Sequence, residues 1–176
     1  YLGDKVMDFI LHFYILSGPD FVMGPDADYT VRNVFGIVKA NPDLAKKVIH
    51  HHHLAHKMVE MISGRRIHPV AAVPGGWTKP LKKEERDKAI PMAKELLEFA
   101  KFTMNLAKES IFPKYLDLVK SLAVIKTGFL GSVTKDGTHT IYGDRLRMMN
   151  ADGSYEDFAP ENYLDYIAEQ VEPWTY

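Results

Sequence analysis

Asn41-Pro42-Asp43 opens, and Gly64 closes, a stretch whose apolar residues recur every three to four positions. An Asn side chain accepts from free N–H groups at a helix start, Pro suits the first turn, and an acid suits the positive end of the helix dipole. Gly readily takes the left-handed conformation that ends a helix. The spacing predicts a helix over 42–63 with Leu44, Val48, His51, Ala55, Met58 and Ile62 on one face. Lys46, His50, His53, Lys57 and Glu60 make the opposite face. A helix apolar on one side gains most of its stability from tertiary packing. The rest of the chain must therefore supply apolar faces around it.

Those faces are available. Residues 3–17 read as a helix with Val6, Phe9, Ile10, Phe13 and Leu16 on one side, stopped by Gly18-Pro19. A short helix is expected over 31–39, and an extended, turning connector over 65–79. Residues 82–88 read as a charged helical turn or two, and Pro91 should kink or restart the helix. Beyond it, Ala93, Leu97, Ala100, Met104, Ala107 and Ile111 form a heptad-like seam. Pro113 should break or bend the helix before it continues to residue 122. From Val124 the pattern changes to strand-like runs, GFLGSVT, THTIYG and RLRMM, with turns at Asp136-Gly137 and Asp152-Gly153 and a last helix near 160–170. The fold class is α+β: a bundle of four to five helices over 1–123, then a small β-hairpin/helix annex over 124–176.

Composition narrows the chemistry. The 176 residues contain no cysteine, which excludes disulfides, thiolate nucleophiles and Cys-ligated metals from this chain. A net charge of -1 argues against nucleic acid as a partner. The most apolar run, Phe9 to Leu16, is far too short to cross a membrane. The sequence starts at Tyr1 in mid-pattern, without an initiator Met, and so reads as processed or as a fragment of something longer.

Histidine is the most visible candidate ligand. Five of the eight lie between His50 and His56, and His52 and His56 have the i,i+4 spacing of a two-ligand metal clip. No third ligand is identifiable nearby, so a core or surface role outweighs a nickel or zinc site. Asp8 and His12 are also four apart, as an acid–base pair or a surface helix pair would be. Gly75-Gly76 could let backbone approach a cofactor or simply turn the chain. Arg65-Arg66 could bind an anion or satisfy the last carbonyls of the preceding helix. No phosphate loop, nucleophile elbow or HExxH motif is present.

Three segments in order resemble one family. Asp8 to Val22, DFILHFYILSGPDFV, resembles the D-H-x-x-H-F-Y-x-L-x-x-x-D-W-V stretch of nickel–iron hydrogenase large subunits. Ser63 to Gly76, SGRRIHPVAAVPGG, resembles their G-G-R-x-I-H-P-V-x-x-V-x-G-G segment, in the form of the cytoplasmic branch that reduces coenzyme F420, NAD(P) or methyl viologen. The last segment, from Ile141, closes on an E-x-V-x-x-W-x-Y signature at Glu169 to Tyr176.

The resemblance implies an internal piece of a cytoplasmic hydrogenase large subunit whose parent oxidises H2 reversibly. In that family two CxxC pairs hold the nickel–iron centre, and both would lie outside this sequence. No nickel–iron centre is then expected on this chain alone, and no activity. Asp8 matches an outer-shell Asp above the metal centre, His12 the His of H-F-Y, and His68 the His of I-H-P-V. Gly75 and Gly76 match the Gly-Gly turn, while Phe9 stands where the family has a second His. The implied partners are the rest of the large subunit, an iron–sulfur small subunit and an electron-acceptor subunit, with self-association of the isolated piece. The alternatives are a scaffold or binding protein derived from that subunit, and a His-rich nickel or zinc binder using His52 and His56.

Overall fold

The computed structural model describes residues 1–175, so Tyr176 of the terminal signature lies outside the described residues. The chain is α+β and divides into two compact units, the first Tyr1–Asp117 and the second from Leu118 onward.

In the first unit, α1 (Leu2–Leu11), a π-helical turn (His12–Ser17) and α2 (Gly18–Val22) run on without a break. Then come α3 (Val34–Ala40), α4 (Pro42–Ser63), the two-residue strands β1 (Ala72–Val73) and β2 (Gly76–Trp77), and α5 (Lys83–Leu106). A second π-helical turn (Ala107–Ile111) leads into α6 (Phe112–Ser121). Helix α4 is the hub and packs against α1, α3 and α5. Its ends are where the sequence sets them. The Asn41 side chain accepts from the Leu44 N–H at 3.1 Å. Gly64 sits at φ 80° and its N–H reaches the Glu60 carbonyl at 2.8 Å. The core joins Ile10 and Tyr14, from α1 and its π turn, to Val48, Ala55 and Met58 of α4 and Leu96 and Phe99 of α5.

Two apolar faces are rotated from their expected positions. On α1 and its π turn the buried residues are Ile10 and Tyr14, while Phe9 is 66% exposed. On α5 they are Leu96 and Phe99, while Leu97 is 55% and Met104 52% exposed. Leu96 and Phe99 bring far more apolar area to the hub than the alanines of the expected seam, and burial free energy scales with that area.

The prolines do not act as expected either. Gly18-Pro19 does not stop the first helix and Pro113 does not break the last, because each follows a π-helical turn. Such a turn adds one residue to the helical circuit, which accommodates a ring that would otherwise strike the carbonyl four residues back. Ahead of Pro113, the Phe112 N–H bonds the Ala107 carbonyl, five residues back. At Gly18 a Cβ would lie 3.0 Å from the Phe13 carbonyl oxygen, a tight contact that glycine avoids. Pro91 lies inside α5 without interrupting it.

In the second unit β3 (Phe129–Val133), β4 (Arg145–Met149) and β5 (Tyr155–Phe158) form an antiparallel sheet in that order. Gly153, at φ 87°, turns the chain between β4 and β5. THTIYG is not a strand. It makes a single bridge, Val133 to His139, and then bends at Gly143. There a Cβ would lie 2.3 Å from the Ser132 hydroxyl oxygen, so glycine allows a close crossing over β3. The last helix is one 3₁₀ segment, Pro160–Asp165. Arg147 and Asp157 face each other across β4 and β5 and pair in a two-pronged contact, at 2.6 and 2.9 Å.

Phe99→Ala should cost about 3–5 kcal/mol in urea unfolding, the range for emptying a packed aromatic site. Hydrogen bonds from Arg147 hold the Asp157 carboxyl below its ordinary range. A carboxyl with a lowered folded pKa contributes stability above its unfolded pKa of about 3.9 and loses it as pH falls through the folded value. Asp157→Asn should therefore be less stable than wild type at pH 7, with the difference closing toward pH 2. A difference independent of pH would contradict the pairing.

Candidate functional site

Asp8 is exposed near the end of α1 and lies 3.9 Å from the Lys5 ammonium. His12, also exposed, is the first residue of the π turn. No hydrogen bond or ion pair joins Asp8, His12 and His68 to one another among the described residues. The Asp8–His12 spacing thus yields two polar groups one turn apart on an exposed surface, each open to another partner.

His12 lines an apolar groove of about 360 Å³ between the first helix and α5. Phe9 and Phe13 form one wall, and Leu96, Ala100 and Met104 the other. At the same groove the Tyr14 hydroxyl meets the Thr103 hydroxyl at 2.8 Å, and Thr103 donates to the Phe99 carbonyl at 2.9 Å. Thr103 has one proton, so Tyr14 is the donor in this relay. Burial pushes the Tyr14 phenol above its usual range, against the opposing effect of its Thr103 bond. The sequence offers no sign of this pair, since 89 residues separate its members.

His68 is exposed, on the connector after α4, and held at φ 53°. A non-glycine residue pays about 1–2 kcal/mol for a left-handed backbone. Gly75, at φ 88°, lies in the turn between β1 and β2, and Gly76, at φ 159°, is the first residue of β2. The expected Gly-Gly turn is Pro74-Gly75 instead. No side chain or distant backbone atom lies within 4 Å of where either Cβ would be. Both glycines face open space. Arg66 pairs with Glu60 at 2.8 Å, so it does not close α4. The last turn of α4 is closed by Trp77, whose indole N–H donates to the Ile62 carbonyl at 3.3 Å, and by Lys79, which donates to the Met61 carbonyl.

The histidine run splits into two groups. His52 and His56 pack edge to face with ring centroids 4.6 Å apart. Burial first, then the neighbouring His56 and His53, push His52 below the ordinary imidazole value, which favours its neutral form. His52 Nε2 and His56 Nδ1 are buried with no hydrogen-bond partner among the described residues. His50 and His51 instead meet Glu95 of α5, at 2.6 and 3.8 Å from its Oε1. The sequence missed Glu95 because its partners lie 45 residues away on another helix.

The structure aligns with an NAD+-reducing [NiFe]-hydrogenase in the H2-reduced state at a TM-score of 0.86 and 29% identity, over 98% of this chain and 38% of that one. A Ni-Fe-Se hydrogenase from Desulfomicrobium baculatum shares the fold at a TM-score of 0.67. In sequence, the chain is 43% identical over its whole length to a component of the F420-non-reducing hydrogenase of Methanocaldococcus jannaschii, 42% of whose length it spans. It is 38% identical to the corresponding component of the F420-non-reducing hydrogenase of Methanothermobacter thermautotrophicus, over 94% of this chain and 34% of that one. No protein-family model matches. The chain is thus a homologue of nickel–iron hydrogenase large subunits and corresponds to a section of them.

Tyr14→Phe should lower stability by about 1 kcal/mol, the typical net worth of a hydrogen bond. Asp8→Asn should leave the urea midpoint unchanged, since an exposed ion pair contributes little. A large loss from Asp8→Asn would show that Asp8 supports the fold rather than facing an outside partner.

Proposed function

We propose that this chain is the section of a nickel–iron hydrogenase large subunit that surrounds the metal centre without ligating it. The parent enzyme oxidises H2 reversibly to protons and electrons. The observation that carries this reading is 43% identity running through the entire chain, together with an apolar groove left open beside Asp8 and His12.

A nickel–iron centre held by four thiolates does not fit the donors present. The chain has no thiol, and the one cluster of three candidate ligands among the described residues is His50, His51 and Glu95. Imidazole and carboxylate suit a single borderline cation better than a thiolate-bridged pair. The thiolates belong to the rest of the large subunit in this reading. The chain's own contribution is electrostatic and steric. The Asp8 carboxylate offers hydrogen-bond acceptors, and the His12 imidazole can donate or accept a hydrogen bond. Phe9, where the family has a second His, leaves this surface with one proton-accepting group fewer. His68 and the Gly75-Gly76 pair would face the iron–sulfur small subunit, which passes electrons to an acceptor subunit.

The exposed seam of α5 and the groove wall at Phe9 are the surfaces that the remainder of the large subunit would cover. No helix among the described residues is long and apolar enough to cross a membrane. The cytoplasm is the proposed location and rests on the resemblance to the cytoplasmic branch. The absence of thiols favours a second reading, a scaffold derived from the same subunit that does no chemistry.

Asp8→Asn in the complete enzyme tests the role given to Asp8 in the first reading. Second-sphere changes at metal sites commonly cost about 10–100-fold, so H2-dependent dye reduction should fall by that factor. Unchanged activity would remove Asp8 from the reaction. Alone, the chain should self-associate and bind a hydrophobic dye. A clean monomer by light scattering, without dye binding, would contradict the covered-surface reading.

A further inference from the structure

We propose that His50, His51 and Glu95 form a binding site for one divalent transition-metal ion, clamping α4 to α5. This does not rest on the hydrogenase reading.

The three donor atoms come from two helices and lie within 4.8 Å of one another. His51 is the fixed point. Its ring is buried, stacked on Phe99 with centroids 4.0 Å apart and planes 10° apart. Its Nδ1 lies 2.7 Å from the Lys47 carbonyl, which can only accept a hydrogen bond. Nδ1 must therefore carry the proton, which leaves the Nε2 lone pair free on the side of Glu95. Metal-bound histidines almost always donate their other ring N–H in this manner, to a backbone carbonyl or carboxylate. The orientation and tautomer of His51 are thus set before any ion arrives.

Glu95 supplies the charge. Its Oε1 lies 2.6 Å from His50 Nε2 and 3.8 Å from His51 Nε2. Bonds of about 2.0–2.2 Å to nitrogen and oxygen in a tetrahedral shell place two ligands of one ion about 3.3–3.6 Å apart. The separations here reach up to 4.8 Å, and Glu95 Oε1 is already within 3.8 Å of both imidazoles, so the two imidazoles must approach each other. His50 is 58% exposed at the side chain, so rotation of its ring toward His51 closes the gap without disturbing the core. Lys47 does not compete, because its ammonium sits 3.6 Å above the Phe102 ring.

Two imidazoles and one carboxylate are a donor set for zinc, nickel or cobalt, with a fourth position left to water. Calcium and magnesium prefer all-oxygen ligands and are disfavoured. The competing arrangement is the His52–His56 pair, which has two ring nitrogens without a hydrogen-bond partner and no third ligand among the described residues.

The test is calorimetric titration of the untagged chain with zinc chloride, repeated with cobalt chloride to record visible absorption. Wild type should bind one ion per chain, give the cobalt bands of a low-coordinate site, and melt at a temperature that rises with zinc concentration. Glu95→Gln and His50→Ala alter exposed side chains and should each weaken binding at least tenfold and remove the thermal shift. His56→Ala should bind as wild type. Binding that survives Glu95→Gln, or that is lost in His56→Ala alone, would overturn the site and move it to the His52–His56 pair. Absence of binding to wild type would also overturn it and reduce the cluster to an interhelical ion pair.

Discussion

The stacking of Phe99 between Tyr14 and His51 is the contact on which the helical unit depends. Phe99 lies 5.6 Å from the Tyr14 ring and 4.0 Å from the His51 ring, close to parallel with both. One aromatic side chain of α5 thereby ties the π turn after α1 to the hub helix α4. Stacked aromatic pairs contribute about 0.5–1.5 kcal/mol beyond the area they bury. The same stack holds His51 for Glu95 and Tyr14 for Thr103, so both polar clusters are by-products of one apolar contact.

Two π-helical turns set where the chain goes next. Each precedes a proline, at Pro19 and Pro113, and each carries a helix past a residue that would normally end it. The first places His12 at the edge of the groove and rotates Tyr14 inward. An uninterrupted helix would keep the strict 3.6-residue period, in which Leu16 reads as a core residue. In the structure Leu16 is exposed.

The parts legible in the sequence are those governed by local chemistry. The Asn41 cap, Pro42, and Gly64 at its left-handed angle all stand where their local chemistry predicts, and so does the buried stripe through Val48, His51, Ala55 and Met58. The turn at Asp152-Gly153 is likewise local. What was not legible depends on contacts between distant segments. Glu95 meets His50 only because α5 lies against α4, and THTIYG crosses over β3 where the Gly143 N–H donates to the Ser132 hydroxyl oxygen. The resemblance in the D-F-I-L-H-F-Y and R-R-I-H-P-V segments pointed to the hydrogenase relatives. Composition and periodicity alone end at a helical domain with no complete catalytic site.

In the proposed enzyme, the rest of the hydrogenase large subunit covers the open groove between the first helix and α5. Hydroxyl-radical footprinting of the chain alone and of the complete enzyme reads this directly. Phe9 and Met104 should be labelled in the isolated chain and shielded in the enzyme, while Lys46 on the far side of α4 stays equally reactive in both. Equal labelling of Phe9 and Met104 in the two samples would contradict the covered groove.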